Sequence, residues 1–502
     1  MHTASADSCA VQGETTNSMG SILSSPAVGT AASSSGVTAK QQRQPFHVKK
    51  VAIIGAGPAG LAAARYLMAQ GAVDSITIFE QQDQVGGVWY YSSLAPKEVP
   101  VPQQDPFWGP EPSIWPEGAP APIFPSPMYE RLHANIPGCL MQFHDTAFPA
   151  DEWLFPKREA IQDYLVRYAG DLRHLIKFRH QVTQVNLETR DGRDRWHLEA
   201  SSTLNDGEIV RDTYDAVVVA NGHYSVPFIP AIKNIQEFNE AHPSVISHSK
   251  QYRKNEHFRG KKVVVVGNGP SGLDLALQIN QVAGRTLMSV RHATSPDKIS
   301  HIGCEEVPEI VELLPDQRGV LFKDGNKEIN IDYIVFCTGF LFGYPFLNSL
   351  GRKIITSGRG IHGLYQHLFL IEHPTLVFPA LNMKSVPWPL AEAQAAAFSA
   401  VWSNDLALPS DNEMERWSKE LEETQGEALH IYPELGDDGK HINEFYDWVT
   451  KAKHVGKQPP HWEGEQFWQR KLAPQAKTKF EEGGCKAKTL ADLGYHYEPD
   501  KE

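Results

Sequence analysis

Residues 51–60 read Val-Ala-Ile-Ile-Gly-Ala-Gly-Pro-Ala-Gly, and residues 263–272 read Val-Val-Val-Val-Gly-Asn-Gly-Pro-Ser-Gly. Each is an apolar run, suited to a buried strand, that turns through G-x-G-x-x-G into a helical stretch. Gly-rich turns between strand and helix arise for many reasons, so one copy carries little weight. Two copies, each in the strand-to-helix context, predict two bound dinucleotides. In such a unit the glycines permit a tight turn, close approach of backbone to pyrophosphate, and close packing of helix on strand. The pyrophosphate sits at the helix N-terminus, where unpaired N–H groups and the helix dipole favour an anion. The candidate binding residues are Gly55, Gly57, Pro58, Ala59 and Gly60 in the first copy. In the second they are Gly267, Gly269, Pro270, Ser271 and Gly272.

The residue closing the next strand separates the two ligands. Glu80 ends the strand 75–80, 20 residues after Gly60. A carboxylate there accepts both ribose hydroxyls and repels a 2′-phosphate, so the first unit suits FAD or NAD rather than NADP. In the second unit the strand 286–290 runs into Arg291, 19 residues past Gly272, with His292 beside it. A guanidinium there pairs with a 2′-phosphate and predicts NADPH. FAD and NADPH in one chain imply an oxidoreductase in which hydride passes from nicotinamide to flavin. A disulfide reductase would need a C-x-x-C pair, which this sequence lacks. An amine oxidase would not need the second nucleotide unit. An oxygenase needs a site dry enough to protect its reactive oxygen species.

Composition bounds the rest. The chain has 502 residues, 41% apolar and 21% charged, as expected of a soluble globular protein with two or three domains. A net charge of −13 argues against a nucleic-acid surface. Five cysteines, Cys9, Cys139, Cys304, Cys337 and Cys485, stand far apart, which excludes a disulfide scaffold and fits a reducing, cytoplasmic setting. No apolar run reaches the roughly 18–20 residues of a membrane span.

The expected architecture is α/β, with two Rossmann-like units and the second inserted into the first. Residues 1–45, rich in Ser, Ala, Thr and Gly, predict a disordered tail. Residues 46–226 and 332–460 form the FAD-binding domain, 227–331 the NADPH-binding domain, and 461–502 a polar, poorly patterned extension. The strand beginning at Tyr333 is expected to return the chain to the first domain. Residues 157–170, 390–402 and 413–422 predict helices. Between Pro96 and Pro127 lie eleven prolines, which forbid helix or central strand. That stretch reads either as a surface loop or as a cover over a ligand site.

Further landmarks run from residue 51 to about 402. They are Gly86-Gly87-Val88-Trp89, Leu132-His-Ala-Asn135-Ile-Pro137, Met141-Gln-Phe-His-Asp145 with Phe148-Pro149, Ala220-Asn221-Gly222-His223-Tyr224, His248-x-x-x-Tyr252, Cys337-Thr338-Gly339-Phe340 and Gln394-Ala395. In this order and spacing the chain resembles the flavin-containing monooxygenases, class B flavoprotein monooxygenases, most closely those of yeasts and filamentous fungi. It departs from the family pattern F-x-G-x-x-x-H-x-x-x-(F/Y) by carrying His242 for the Phe and Ser244 for the Gly. Asn221 replaces the commoner Thr, and Pro270 stands where some members place a Tyr.

The resemblance implies a small-molecule substrate, O2 as co-substrate, and transfer of one oxygen atom from a C4a-(hydro)peroxyflavin to a nucleophilic nitrogen or sulfur, as in amine oxygenation of the N,N-dimethylaniline type. It implies no acid–base dyad, no metal, no membrane span, and allows a homodimer. Asn135 is implied as the active-site amide beside the flavin. Gly87, Val88, Trp89, Val182 and Asn382 are implied on the FAD side, and His248 and Tyr252 as structural braces of the linker. Baeyer–Villiger oxygenation of a ketone is the alternative reaction, although that subclass ends its signature in H-x-x-x-W where Tyr252 stands. A catalytically silent dinucleotide-binding redox sensor is the non-enzyme alternative.

Overall fold

Val51–Ile54 are apolar on both faces, so a strand built from them needs partners on both sides. In the computed structural model strand β1 (Lys50–Ile54) lies between β2 (Ser75–Glu80) and β3 (Ala216–Val219), parallel to both. Helix α1 (Pro58–Gln70) makes the crossover. Pro58 opens it without loss, because the first helical N–H has no intrahelical partner. Gly71 closes it at φ 67°, donating its N–H to the carbonyls of Leu67 and Met68. The sheet continues through 176–178 beyond β2, and through 376–377, 369–370 and 364–365 beyond β3. The structure describes residues 44–499 except 97, 110–112, 205–206 and 348–349, so the tail expected over 1–45 falls outside it save for its last two residues.

The second motif repeats this plan. Strand β4 (Lys262–Val266) is followed by helix α2 (Pro270–Asn280) and lies between β5 (Arg285–Val290) and β6 (Tyr333–Phe336). Strands 305–308 and 246–248 complete a parallel five-stranded sheet. The main-chain bonds match one for one. Gly55 N–H donates to the Phe79 carbonyl at 2.8 Å and Gly267 N–H to the Ser289 carbonyl at 2.8 Å. Ala220 donates to Ile54 at 3.0 Å and Cys337 to Val266 at 2.8 Å.

After β3 the chain leaves the first sheet, builds the whole second sheet, and returns to the first at residues 364–377. The outgoing linker Val226–Pro227 and the returning linker Phe340–Leu341 pair antiparallel. His248 donates from Nε2 to the Gly339 carbonyl at 3.0 Å, just before the returning linker, and Tyr252 donates its hydroxyl to Gln278 Oε1 at 3.0 Å within the second unit. Burial holds the His248 pKa down at about 3, so the ring is neutral. One boundary differs from expectation. The strand from Tyr333 is not the return to the first sheet, because it pairs with β4 and with 246–248. An apolar run of four residues carries no mark of which sheet it joins.

The proline-rich segment is bound at its ends and crosses between the units. Arg253 donates to the carbonyls of Leu94, Ser126 and Met128, closing the base of the loop. Gln103 pairs with Ile229 of the outgoing linker, and the Gln82 side chain bonds the main chain of Phe124.

The expected helices appear as Arg158–Tyr168, Pro387–Trp402 and Asp411–Gln425. Two further long helices were not expected: Asp437–Val449 and, in the extension expected to be polar and poorly patterned, Gly464–Glu482. The latter buries only Arg470, Ala473, Ala476 and Phe480. A face made of two alanines, an arginine and one phenylalanine leaves almost no hydrophobic period to read.

Candidate functional site

The first glycine turn is enclosed. Gly55 has φ 103°, and a Cβ there would stand 2.6 Å from the Ala220 carbonyl oxygen. A Cβ on Gly60 would stand 2.0 Å from the Gly55 carbonyl oxygen. These two glycines are therefore demanded by packing. Gly57 is different: it precedes the helix with φ −76° and faces Gly87, whose own φ is 57°. A Cβ on Gly87 would lie 3.1 Å from the Gly57 Cα. The short 3-10 turn Gly87-Val88-Trp89 thus lies against the opening of α1, with Pro58 and Ala59 half-buried beneath it. Gln162 holds it there, donating to the Val85 carbonyl at 2.8 Å and filling the space beside Gly86.

Glu80, only 6% exposed, points back at this turn. Its carboxylate accepts the N–H groups of Ala56 and Gln82, both at 2.9 Å. Burial pushes its pKa up, while those two backbone donors act against the shift. A carboxylate has about four acceptor sites, so Glu80 keeps capacity for a further donor.

Ligands of open α/β sheets bind outside the carboxyl ends of the strands, and here those ends carry unsatisfied amides. Asn221, just after β3, has a buried Oδ1 without a hydrogen-bond partner. Asn382, beyond strand 376–377, is 3% exposed, and neither polar atom of its amide has a partner. Leaving such a group unpaired costs about 1–3 kcal/mol, so these atoms fit a polar ligand. Gln394 fixes the preceding turn by accepting the Ala380 N–H at 2.7 Å. His223 Nε2 is likewise buried and unpaired, and burial lowers its pKa to about 4, leaving a neutral ring.

Asn135 is exposed, in a bend anchored by Ala134, whose N–H donates to the Pro156 carbonyl at 2.9 Å. Trp89, Ala59 and Ile136 pack half-buried on the same core that contains Ala56, Val85 and Ala134. Asn135 is therefore carried on the face of the core that carries the glycine turn. Val182 lies apart from these residues, buried with Ile54 and Phe79 on the other face of the first sheet. The enclosed turn, Glu80 and the unpaired amides together fit a flavin dinucleotide. Among the described residues no group of His, Cys, Asp and Glu could hold a metal ion.

The second turn is open. Gly267 (φ 106°) and Gly272 repeat the packing glycines, with built Cβ atoms 2.9 Å from the Cys337 carbonyl oxygen and 1.9 Å from that of Gly267. Gly269, Pro270 and Ser271, at the start of α2, are exposed. Asn268 ties the turn to the next segment, donating to the His292 carbonyl and to Thr294 Oγ1, both at 2.9 Å. Counting from the last glycine makes Arg291 the counterpart of Glu80, but strand register does not. Phe79 matches Ser289, so Val290 occupies the place of Glu80 and Arg291 follows it. Helix α2 has 11 residues against 13 in α1, which shifts the count. Val290 is buried and carries no carboxylate, while Arg291 and His292 are exposed.

A second arginine joins them that sequence reasoning missed. The Arg359 guanidinium lies 3.9 Å above the Phe228 ring. Burial lowers its pKa, and the like charge of Arg291 lowers it further. Its only local signal is the run Gly358-Arg359-Gly360. Both glycines are crowded, with built Cβ atoms 2.7 Å from Pro106 and 2.9 Å from Leu429. Arg291 and Arg359 make a cationic rim suited to a phosphate monoester.

Comparison with known proteins agrees with this geometry. Residues 125–304 and 295–435 match the family described as flavin-binding monooxygenase-like, and residues 53–103 match an NAD(P)-binding Rossmann-like domain. The chain is 32% identical over 387 residues to the flavin-containing monooxygenase FMO GS-OX-like 2 of Arabidopsis thaliana, covering 74% of this chain and 77% of that protein. It is 31% identical to the thiol-specific monooxygenase of Saccharomyces cerevisiae, over 72% and 78% of the two chains. The solved structure of S-allyl-L-cysteine S-oxygenase from Allium sativum superimposes with a TM-score of 0.72 at 26% identity, over 90% of this chain and 98% of that one.

Proposed function

The chain belongs to the flavin-binding monooxygenase-like family and depends on FAD and NADPH, and from that premise we propose that it transfers one oxygen atom from O2 to a nucleophilic sulfur or nitrogen of a small molecule. FAD and NADPH, when bound, supply the hydride and the oxygen-activating chemistry. The chain's own contribution is binding, orientation and exclusion of water. Gly57 and Gly87 admit the FAD pyrophosphate between them, and Glu80 accepts the ribose hydroxyls. The exposed start of α2 receives NADPH, with Arg291 and Arg359 on its 2′-phosphate.

The single observation that carries the reading of the reaction is the set of neutral amides at the sheet's carboxyl edge. Asn382 is buried with both amide atoms unpaired, Asn221 is half-buried with an unpaired Oδ1, and Asn135 stands exposed in the bend after Ala134. Amides orient a ligand by hydrogen bonds and carry no proton to exchange at neutral pH. Such a lining suits a soft nucleophile that attacks without prior deprotonation. The relatives whose names specify an S-oxygenase and a thiol-specific monooxygenase support sulfur as the acceptor.

The test is product per NADPH consumed, with a thioether, a tertiary amine and a cyclic ketone compared under air. Sulfoxide or N-oxide in near-stoichiometric yield is expected. Ester from the ketone, with no oxygenated sulfur or nitrogen, would overturn the proposal.

A further inference from the structure

Helix Gly464–Glu482 lies wholly beyond residue 435, where the family match ends. It nevertheless touches the bases of both segments that carry the amides, and the second nucleotide unit as well.

At its N-terminal half, Arg470 forms a buried ion pair with Asp438, Nε to Oδ2 at 2.8 Å, the side chains 7% and 0% exposed. The pair is fastened to main chain. Arg470 also donates to the Lys384 carbonyl at 2.7 Å, and Asp438 Oδ2 accepts the Val386 N–H at 2.8 Å. Ser385 donates its hydroxyl to the Asn382 carbonyl at 2.6 Å. Lys384 itself sits at φ 57°, a conformation that non-glycine residues hold only when their surroundings compel it. A well-packed apolar pair would match the stability of such a buried ion pair, but it could not grip a carbonyl at 384 and an amide at 386.

In its C-terminal half, the fully buried Phe480 packs edge-on against His133 at 5.5 Å, two residues before Asn135. His133 is fixed from the other side by the Trp153 ring and by its bond to the Phe155 carbonyl at 2.9 Å. The same helix end reaches the second unit, where Glu481 pairs with His301 at 3.0 Å on helix 296–302, whose Ser295 cap follows Arg291 by four residues.

We infer that this helix is a strut: Arg470 positions the Asn382 turn, Phe480 positions the Asn135 bend, and Glu481 holds the NADPH-binding unit in register with both. The inference rests on the proposed roles of Asn135 and Asn382. None of the three is a catalytic residue, since each acts through the segment it holds.

The test uses full-length enzyme carrying Arg470→Lys, Phe480→Leu or Glu481→Gln. Backbone hydrogen exchange is followed with FAD bound and after its removal, alongside hydrogen peroxide released per NADPH. Lysine keeps the charge opposite Asp438 but cannot reach Asp438 and the Lys384 carbonyl together. Arg470→Lys should speed exchange about tenfold at 383–386 and leave 133–136 unchanged, and Phe480→Leu should do the reverse. Both should raise peroxide release several-fold while kcat/KM for NADPH stays within twofold. Glu481→Gln should spare both segments and raise the NADPH KM several-fold. Faster exchange confined to the helix, or spread equally into β1 and β4, would overturn the strut, as would unchanged peroxide release. If Arg470→Lys fails to fold, Phe480→Leu decides the matter. If wild-type enzyme oxygenates no nucleophile, the proposed function fails, and the exchange pattern still judges the strut.

Discussion

Gly57 and Gly87 face one another across the opening of α1, with a Cβ built on Gly57 only 3.5 Å from the Gly87 Cα. That distance is ordinary contact, and Gly57 has φ −76°, which any residue adopts. Gly57→Ala should therefore fold with a melting temperature close to wild type in the FAD-free state. Its methyl group would nonetheless occupy the approach of the pyrophosphate. The purified variant should retain less than a tenth of the flavin, read from the ratio of visible to protein absorbance. Full flavin retention would show that the pyrophosphate lies elsewhere.

Val290, in the register place of Glu80, offers a test of nucleotide choice by two routes. Arg291→Ala removes a charge-assisted contact worth about 1.5–3 kcal/mol, so kcat/KM for NADPH should fall roughly 10- to 100-fold with NADH little changed. Val290→Glu should also disfavour NADPH, by placing a carboxylate where the 2′-phosphate would lie. Steady-state kinetics with the two reductants checks both, and equal losses for NADH and NADPH would remove Arg291 from the phosphate.

Asn135 is exposed and supports no core contact, so Asn135→Ala should leave stability within about 0.5 kcal/mol of wild type. Reduction by NADPH should proceed at an unchanged rate, while most oxygen consumed should end as hydrogen peroxide. A variant that remains fully coupled would free Asn135 of the role proposed for it.

Glu392 is fully buried in helix 387–402, accepting the His144 N–H at 2.7 Å, and burial pushes its pKa up to about 7. Between the ordinary carboxylate value and 7 the native state binds more protons than the unfolded chain. Its contribution is complete below about pH 4.5 and is lost as pH rises toward 7, by about 3 kcal/mol. Glu392→Gln should flatten the pH dependence of unfolding in that window. Denaturant melts at pH 5 and pH 7.5 compare the two proteins, and parallel profiles would contradict the assignment.

Ser244, which stands where the family pattern has a glycine, has a left-handed backbone, with φ 70°. A non-glycine residue there costs about 1–2 kcal/mol, of which glycine's greater unfolded-state entropy offsets about 0.5–1. Ser244→Gly should stabilise the second unit by about 0.5–1 kcal/mol, measured by urea unfolding, with NADPH kinetics unchanged.

The two nucleotide units were legible because each is made of contiguous residues whose chemistry is local. A buried strand, a glycine turn and a helix follow one another within about twenty positions, and Gly60 and Gly272 are dictated by contacts inside that span, whereas Gly55 and Gly267 are crowded by the distant carbonyls of Ala220 and Cys337. Glu80 was legible for the same reason. Arg291 was found as a nearby charge, but its register was not, because two residues fewer in α2 are invisible to counting. Arg359 was missed because it reaches the same rim from a loop 68 residues farther along the chain.

From sequence alone came the α/β class, the insertion of one nucleotide unit into the other, the pairing of FAD with NADPH and the family resemblance. Each of these rests on periodicity or on side chains close together along the chain. Tertiary structure alone decided that β6 belongs to the second sheet, that Val290 stands in the place of Glu80, and that the C-terminal helix grips the segments of Asn135 and Asn382. Strand partners and buried ion pairs such as Arg470–Asp438 are chosen by which surfaces meet after folding, and residues distant along the chain leave no local pattern of that choice.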